Sequence, residues 1–348
     1  MRLLILGTGK MANQHANRFA AIPGVHIVGG VDMNAERLKA FCELHKIERH
    51  FATVDEALAW GEFDAVTNVT PDAAHYSTSL ACISAGKHVL CEKPLATSFA
   101  EASEMADAAE KAGLVAMVNL SYRNVAEIHA ARELVLSGRI GEVKHIEASY
   151  LQSWLVSKTW GDWRTGPQWL WRLSKAHGSN GTLGDIGIHI LDFASYGAAT
   201  EIETITSRLK TFPKADGDRI GEYVLDANDS FVMTAGFSNG ALGVIHATRW
   251  ATGHHNDLRV RIYGDKGGIE VQHTLKETHL RVCLDQDAET AAWRDMEAAP
   301  VATNYERFVN AVRLKMPTEP SFRHAAGLQR ILDLASALDE TLPTPVHV

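Results

Sequence analysis

The chain has 348 residues, more than one compact core usually organises, so two domains are the natural expectation. Hydrophobic residues at 46% and charged residues at 22% fit a globular protein in water, and a net charge of −8 with no basic run argues against nucleic acid or an anionic membrane as partner. Four scattered cysteines (Cys42, Cys82, Cys91, Cys283) without CxxC spacing, and no run of eighteen apolar residues, point to reduced thiols in a cytoplasmic protein that spans no membrane.

From Arg2 to Arg123 short apolar runs alternate with helical patterns. The runs are Leu3–Leu6, His26–Val31, Ala65–Val69, His88–Cys91 and Leu114–Val118, with a short strand placed around His50–Ala52. Between them lie Lys10–Ile22, Ala35–His45, Ala73–Ala85 and Ser98–Ala112, and Thr53-x-x-Glu56 and Ser98-x-x-Glu101 have the spacing of capping boxes. Continuous apolar strands separated by helices predict a parallel, doubly wound α/β sheet over residues 1–122.

The texture changes over residues 123–348, read as a second domain for substrate binding and oligomerisation. A helix (Val125–Ser137) leads to an alternating strand (Val143–Gln152), an aromatic-rich loop (Ser153–Ser179) and a helix from Gly184 to Tyr196. Strand patterns then dominate from Ile202 to Val282, with hairpin signals at Asn239-Gly240 and Asp265–Gly268, and helices near Asn304–Leu314 and His324–Leu338 close the chain. This predicts an α+β domain built on a large, mostly antiparallel open sheet.

Gly7-x-Gly9-x-x-Ala12 falls between the first strand and the first helix, where a phosphate-binding turn belongs. Gly7 permits the turn, Gly9 lets the backbone approach a pyrophosphate, small Ala12 lets helix and strand pack, and Lys10 and Met11 open the helix whose free N–H groups face the phosphates. Asp32, twenty residues past Ala12, ends the next strand; a carboxylate there binds both adenosine ribose hydroxyls and repels a 2′-phosphate, which favours NAD over NADP. The competing reading makes Asp32 a helix-capping turn residue. Arg37, on the following helix, is read as solvated rather than as a phosphate ligand.

With Gly7-Thr8-Gly9 stand Thr70-Pro71-Asp72 with His75, Gly86-Lys87-His88-Val89, Glu92-Lys93-Pro94-Leu95, Trp171-Arg172 and Gly181-x-x-Gly184-Asp185-x-Gly187-x-His189. Together these resemble the glucose-fructose oxidoreductase and inositol dehydrogenase (Gfo/Idh/MocA) family along nearly the whole chain. The resemblance implies a Rossmann domain followed by an open sheet whose face often forms subunit contacts, and hence a homo-oligomer. It implies hydride transfer between a nicotinamide and a secondary alcohol or aldehyde carbon of a sugar or cyclitol, with Lys93, Asp185 and His189 around the reacting carbon. It also implies cofactor contacts from Thr70, Pro71, His75, Glu92, Asn119 and Arg172, and a cis bond before Pro94. The segment Thr67-Asn68-Val69 departs from the family pattern, which has apolar or small residues there.

The residue chemistry agrees with that implication. Oxidising a secondary alcohol needs a base for the hydroxyl proton and a positive group near the developing alkoxide. Lys93, just past a strand at the carboxyl edge where doubly wound sheets bind ligands, can supply charge and a hydrogen bond. Asp185 and His189, four apart, would share one face of a regular helix, with His189 the candidate base and Asp185 binding a substrate hydroxyl. The glycines around them would let that helix start close to another backbone or a ligand. Trp163 and its neighbours Trp154, Trp160, Trp169 and Trp171 are read either as a sugar-stacking wall, with Trp163 in contact with substrate, or as packing of an insertion against the sheet. A metal site would need a third ligand such as His177, and none is expected. The expectation is therefore an NAD-dependent sugar or cyclitol dehydrogenase. The alternatives are an NAD-dependent glycoside hydrolase acting by transient oxidation and elimination, and a non-catalytic NAD-binding regulator.

Overall fold

The computed structural model describes residues 1–341, which divide into two compact units. The first comprises Met1–Asn124 and Ala302–Arg330; the second comprises Val125–Val301 and the described residues from Ile331 onward.

In the first unit six strands, β1 (Arg2–Leu6), β2 (His26–Val31), β3 (Arg49–Phe51), β4 (Ala65–Asn68), β5 (His88–Cys91) and β6 (Ala116–Val118), form a parallel sheet in the order β3-β2-β1-β4-β5-β6. Helices α1 (Lys10–Ala20), α2 (Ala35–His45), α3 (Val54–Trp60), α4 (Asp72–Ser84) and α5 (Phe99–Lys111) connect them. Every side chain of Leu3 to Leu6 is fully buried, as a strand covered on both faces requires. Thr53 and Ser98 each accept the N–H three residues on, capping α3 and α5.

The second unit starts with α6 (Ala126–Leu136) and β7 (Val143–Leu151). The segment that follows is built mostly of turns around the one-turn helix α7 (Pro167–Leu170), and it leads to α8 (Ile188–Gly197). Then come β8 (Ile202–Lys210), the short pair β9 (Arg219–Ile220) and β10 (Tyr223–Val224), β11 (Ser230–Phe237), β12 (Leu242–Thr248), β13 (Asp257–Gly264), β14 (Gly267–His273) and β15 (Thr278–Leu284), followed by the one-turn α9 (Asp287–Thr290) and β16 (Arg294–Asp295). Eight of these strands make one mixed sheet, β16-β15-β14-β13-β7-β12-β11-β8, antiparallel except where β7 pairs with β12. Ile146, Ala148, Ile245, Val260 and Ile262 are buried, and α6 and α8 pack on this sheet. Alternate positions carry a ladder of opposite charges across five neighbouring strands, Glu147, Arg261, Glu270, Arg281 and Asp295, each opposite the next in register.

The division departs from the expected one at the C-terminal end. Helix α10 (Asn304–Leu314) and the start of α11 (Phe322–Thr341) fall in the first unit. The reason is packing: Tyr305, Phe308 and Val309 share a core with Leu3, Phe19, Leu90 and Met117.

Candidate functional site

The phosphate-binding turn of the first unit has the conformation its glycines require. Gly7 has φ +82°, and a Cβ there would lie 2.7 Å from the Val69 carbonyl oxygen. A Cβ on Gly9 would meet nothing within 4 Å, so packing within the protein does not itself demand that glycine. Gly9 starts α1 without a side-chain cap or an acid in the first turn, which leaves the helix N–H groups available to an anion. Lys10 and Met11 are exposed there, and Ala12 is buried against Ile5, Leu38 and Phe41.

Asp32 is held from several sides. Its Oδ1 accepts from the Asn34 N–H (2.9 Å) and Arg37 Nη2 (2.7 Å); its Oδ2 accepts from Thr8 N (2.8 Å), Thr8 Oγ1 (2.8 Å) and Arg37 Nε (3.0 Å). Burial alone would raise this carboxyl, but the donations from Arg37, Asn34 and Thr8 outweigh it and hold the group well below the usual carboxylate range. Helix α2 takes its cap from Asn34, whose Oδ1 accepts the Arg37 N–H, so Asp32 is not that cap. Arg37, expected to be solvated, instead lays a two-pronged fork on Asp32 while its side chain stays half exposed.

Under the strand ends lies a polar network. His15, on the buried side of α1, meets Thr67 Oγ1 through Nδ1 and Glu92 Oε1 through Nε2, both at 2.7 Å. Glu92 Oε1 also accepts from Asn119 Nδ2 (2.7 Å), and Glu92 Oε2 from the Lys93 N–H (3.2 Å). Burial would raise the Glu92 carboxyl, yet His15, Asn119 and Lys93 bring it down to about 2. Asn119 spends its amide here and on Tyr305 and Asn304, buried from solvent, so its side chain does not reach out to a nicotinamide as expected. The unusual Thr67-Asn68 pair also belongs to buried polar structure. Asn68 Oδ1 accepts from Thr70 N and Oγ1, and its Nδ2 donates to Thr78 and Ser79.

His75 is fully buried, with Nδ1 2.8 Å from the Pro94 carbonyl and Nε2 2.9 Å from the Thr70 carbonyl. Two carbonyls can only accept, so both nitrogens must carry protons. Burial opposes that charge, but Cys91, the Pro94 carbonyl and Asp72 more than compensate and push the imidazole up to about 9. His75 therefore ties the Thr70-Pro71 turn to Pro94 from behind; it is not a surface contact for cofactor. Lys93, half-buried, precedes Pro94 through a cis bond.

In the second unit the Gly181 motif is not the start of a regular helix. Leu183–Gly187 forms a single π-turn that runs into α8, so Asp185 lies in the wide turn and His189 in the first turn of the α-helix. The glycines serve close approach: Gly181 has φ +66° and a Cβ there would stand 2.6 Å from the Asn228 carbonyl oxygen, a Cβ on Gly184 or Gly187 would press on the Asn180 or Phe231 side chain, and Thr182 and Leu183 donate to Asn228. His189 is buried, and the Asp185 side chain is 28% exposed. Arg249, which nothing in the sequence singled out, donates from Nη2 to Asp185 Oδ2 at 2.9 Å. Arg172 stays with its own segment, Nη1 on the Gln168 carbonyl (2.6 Å), its guanidinium over Trp171 and its Nε 3.7 Å from Asp185 Oδ2.

Trp163 corrects the expectation of a sugar-facing ring. It is buried among Trp154, Leu155, Leu170, Leu173 and Leu225, with its indole N–H on the Leu155 carbonyl (3.1 Å). Trp154 and Trp163 are core, with Trp160 and Trp169 packed partly exposed against them, because a stretch with almost no regular structure needs large apolar side chains to hold it down. Among the described residues no group of three or more His, Cys, Asp or Glu could hold a metal, and no helix is long and apolar enough to cross a membrane.

A strand order of 3-2-1-4-5-6, an uncapped glycine turn and a strand-end acid define a dinucleotide-binding Rossmann fold. Residues 1–120 match the oxidoreductase family with an NAD-binding Rossmann fold, and residues 128–270 match the GFO/IDH/MocA C-terminal domain. A crystal structure of an oxidoreductase domain protein from Kribbella flavida is 30% identical, with TM-score 0.84, covering 97% of this chain and 96% of that one. Among curated relatives, levoglucosan dehydrogenase of Pseudarthrobacter phenanthrenivorans is 27% identical over 85% of this chain and 80% of its own. D-glucoside 3-dehydrogenase of Escherichia coli (strain K12) is 27% identical over 90% and 88%. The chain belongs to the GFO/IDH/MocA family of NAD-binding oxidoreductases.

Proposed function

We propose that the protein oxidises a secondary hydroxyl of a pyranose or cyclitol with NAD as acceptor. The observation that carries this reading is the second unit's pairing of a partly exposed carboxylate, Asp185, held by an arginine, with His189 four residues along. A carboxylate suits a sugar hydroxyl, and an imidazole suits its proton. The names of the relatives (levoglucosan, D-glucoside and myo-inositol dehydrogenases) support a polyol substrate.

The first unit's residues fit the dinucleotide. Gly7, Gly9 and the first turn of α1 would hold the pyrophosphate, and Asp32 the adenosine ribose. NAD, when bound, supplies the acceptor for the hydride. Lys93 has the charge and the N–H groups to bond a reacting oxygen and steady negative charge on it. In the second unit, the His189 imidazole suits a hydroxyl proton and the Asp185 carboxylate a neighbouring hydroxyl. The Glu92–His15–Asn119 network and His75 fix the backbone on either side of Lys93. The test is a panel of pyranoses, anhydrosugars and inositols screened with NAD by NADH absorbance. Turnover of one class with stoichiometric NADH supports the reading, and product release without net NADH overturns it.

A further inference from the structure

Arg249 is the most deeply buried cation of the second unit beside Lys214, its side chain wholly out of solvent. It follows β12 directly and its N–H donates to the Asp229 carbonyl, which fixes its backbone to the start of β11. Its guanidinium lies 4.9 Å from the Trp154 ring and reaches three acceptors: the Arg172 carbonyl (3.1 Å), the Gly181 carbonyl (3.3 Å) and Asp185 Oδ2 (2.9 Å). One planar fork thus cross-links both ends of the segment from Arg172 to Gly181 and grips the acid four residues further on.

The charges around it constrain Asp185. Lys214 pairs with Asp229 at 2.9 Å, both side chains fully buried, which accounts for one cation and one anion. Arg249 is the second cation, and an arginine keeps its proton even when buried. Its hydrogen-bonded counter-charge is Asp185, with Asp229 adding a Coulombic attraction, and breaking that pair would leave a buried charge undercompensated.

We propose that Arg249 is the positioning residue of the substrate site: its guanidinium sets the place of the Asp185 carboxylate on the π-turn for a sugar hydroxyl. The inference rests on the reading of Asp185 as a substrate-binding acid. It assigns Arg249 no contact with substrate or cofactor, only action through Asp185.

The test is a double-mutant cycle. Arg249→Lys keeps the charge and loses the fork, so kcat/KM for the sugar should fall by roughly 10–100-fold, the scale of a misplaced positioning group, while NAD affinity measured by fluorescence titration stays unchanged. In an Asp185→Asn background the same substitution should cost less than about threefold, because coupled residues lose their effect once the partner is gone. A Lys variant with wild-type sugar kinetics, or one whose loss is undiminished in the Asn background, overturns the role of Arg249 alone. An Asp185→Asn enzyme with wild-type sugar kinetics overturns the reading of Asp185 and the inference with it. Should Arg249→Lys fail to fold, Asp185→Ala carries the test. Removing this partly exposed side chain should lower Tm by several degrees by stranding the buried guanidinium, and an unchanged Tm overturns the pairing.

Discussion

Each unit fixes an acid, and the two do it by different means. Asp32 is held by five donations, three of them from the backbone and hydroxyl of the glycine turn and the residue two positions on; its arginine is five residues away and half exposed. Asp185 is held by Arg249, 64 residues away and fully buried. The first arrangement is local, so a short motif carries it. The second depends on the register of a sheet that brings the end of β12 to the π-turn. An acid held by local backbone tolerates loss of its arginine, whereas an acid whose hydrogen-bonding arginine is buried and distant should be more sensitive to that loss.

The sharpest way to break this comparison is at the chemistry the second unit is proposed to supply. His189→Ala should lower kcat by roughly 10²–10⁴-fold, the range for loss of a general base. NAD binding, carried in this reading by Gly7, Gly9 and Asp32, should persist. Near-wild-type kcat in steady-state kinetics would move the proton path to another group.

Next comes packing in the same unit. Trp163→Ala removes an indole from a filled cluster and should cost about 3–5 kcal/mol of stability, read as a lowered midpoint in denaturant. Sugar KM should stay within a few-fold of wild type for whatever fraction folds. A large KM increase without destabilisation would return Trp163 to the substrate surface.

The sequence made some of this legible and hid the rest. The parallel sheet, the glycine turn, Asp32 and the hairpin at Asn239-Gly240 could be read because short-range patterns determine them: strand period, turn stereochemistry, capping. The assignment of α10 could not, since an amphipathic helix does not say which unit its apolar face will join. His15 left a faint signal, a polar residue on the same helix face as Ala12, Ala16 and Phe19. Arg249 left none, because a charged residue just past a strand is normally solvated, and only the tertiary fold turns it inward. The π-turn was equally hidden, since the loop that leads into it answers to Asn228, which faces Gly181 and accepts from Thr182 and Leu183 from far away in sequence.

A third test concerns the first unit's buried cation. The His75 imidazole is raised from 6.5 to about 9, so its contribution is fully present below pH 6.5 and disappears as pH rises through about 9. The groups facing it are Asp72, Cys91 and the carbonyls of Thr70 and Pro94. Thermal unfolding from pH 6 to 10 should show Tm declining on the alkaline side. His75→Gln, whose single amide nitrogen cannot stand at both ring-nitrogen positions and which does not titrate, should start lower and lose that decline. A wild-type Tm flat to pH 10 would mean a neutral ring.

The smallest effect is expected at Arg37, where the contrast between the two acids is most direct. For a ribose to take Asp32, the Nε and Nη2 donations of Arg37 must yield at least in part, while those of Thr8 and Asn34 can remain. Arg37→Ala removes a competitor and leaves three donors, enough to keep the carboxylate ionised and oriented. The ion pair lost is half exposed on its arginine side, and such pairs are worth about 0–1 kcal/mol. NAD should therefore bind as well as in the wild type or up to about fivefold more tightly, consistent with that range. Any residual use of NADP should fall, since the cation nearest a 2′-phosphate is gone and Asp32 repels it. Fluorescence titration with both nucleotides, on wild type and variant, makes the comparison. If NAD affinity instead collapses tenfold or more, Arg37 is itself a cofactor ligand, and Asp32 depends on its arginine as Asp185 depends on Arg249.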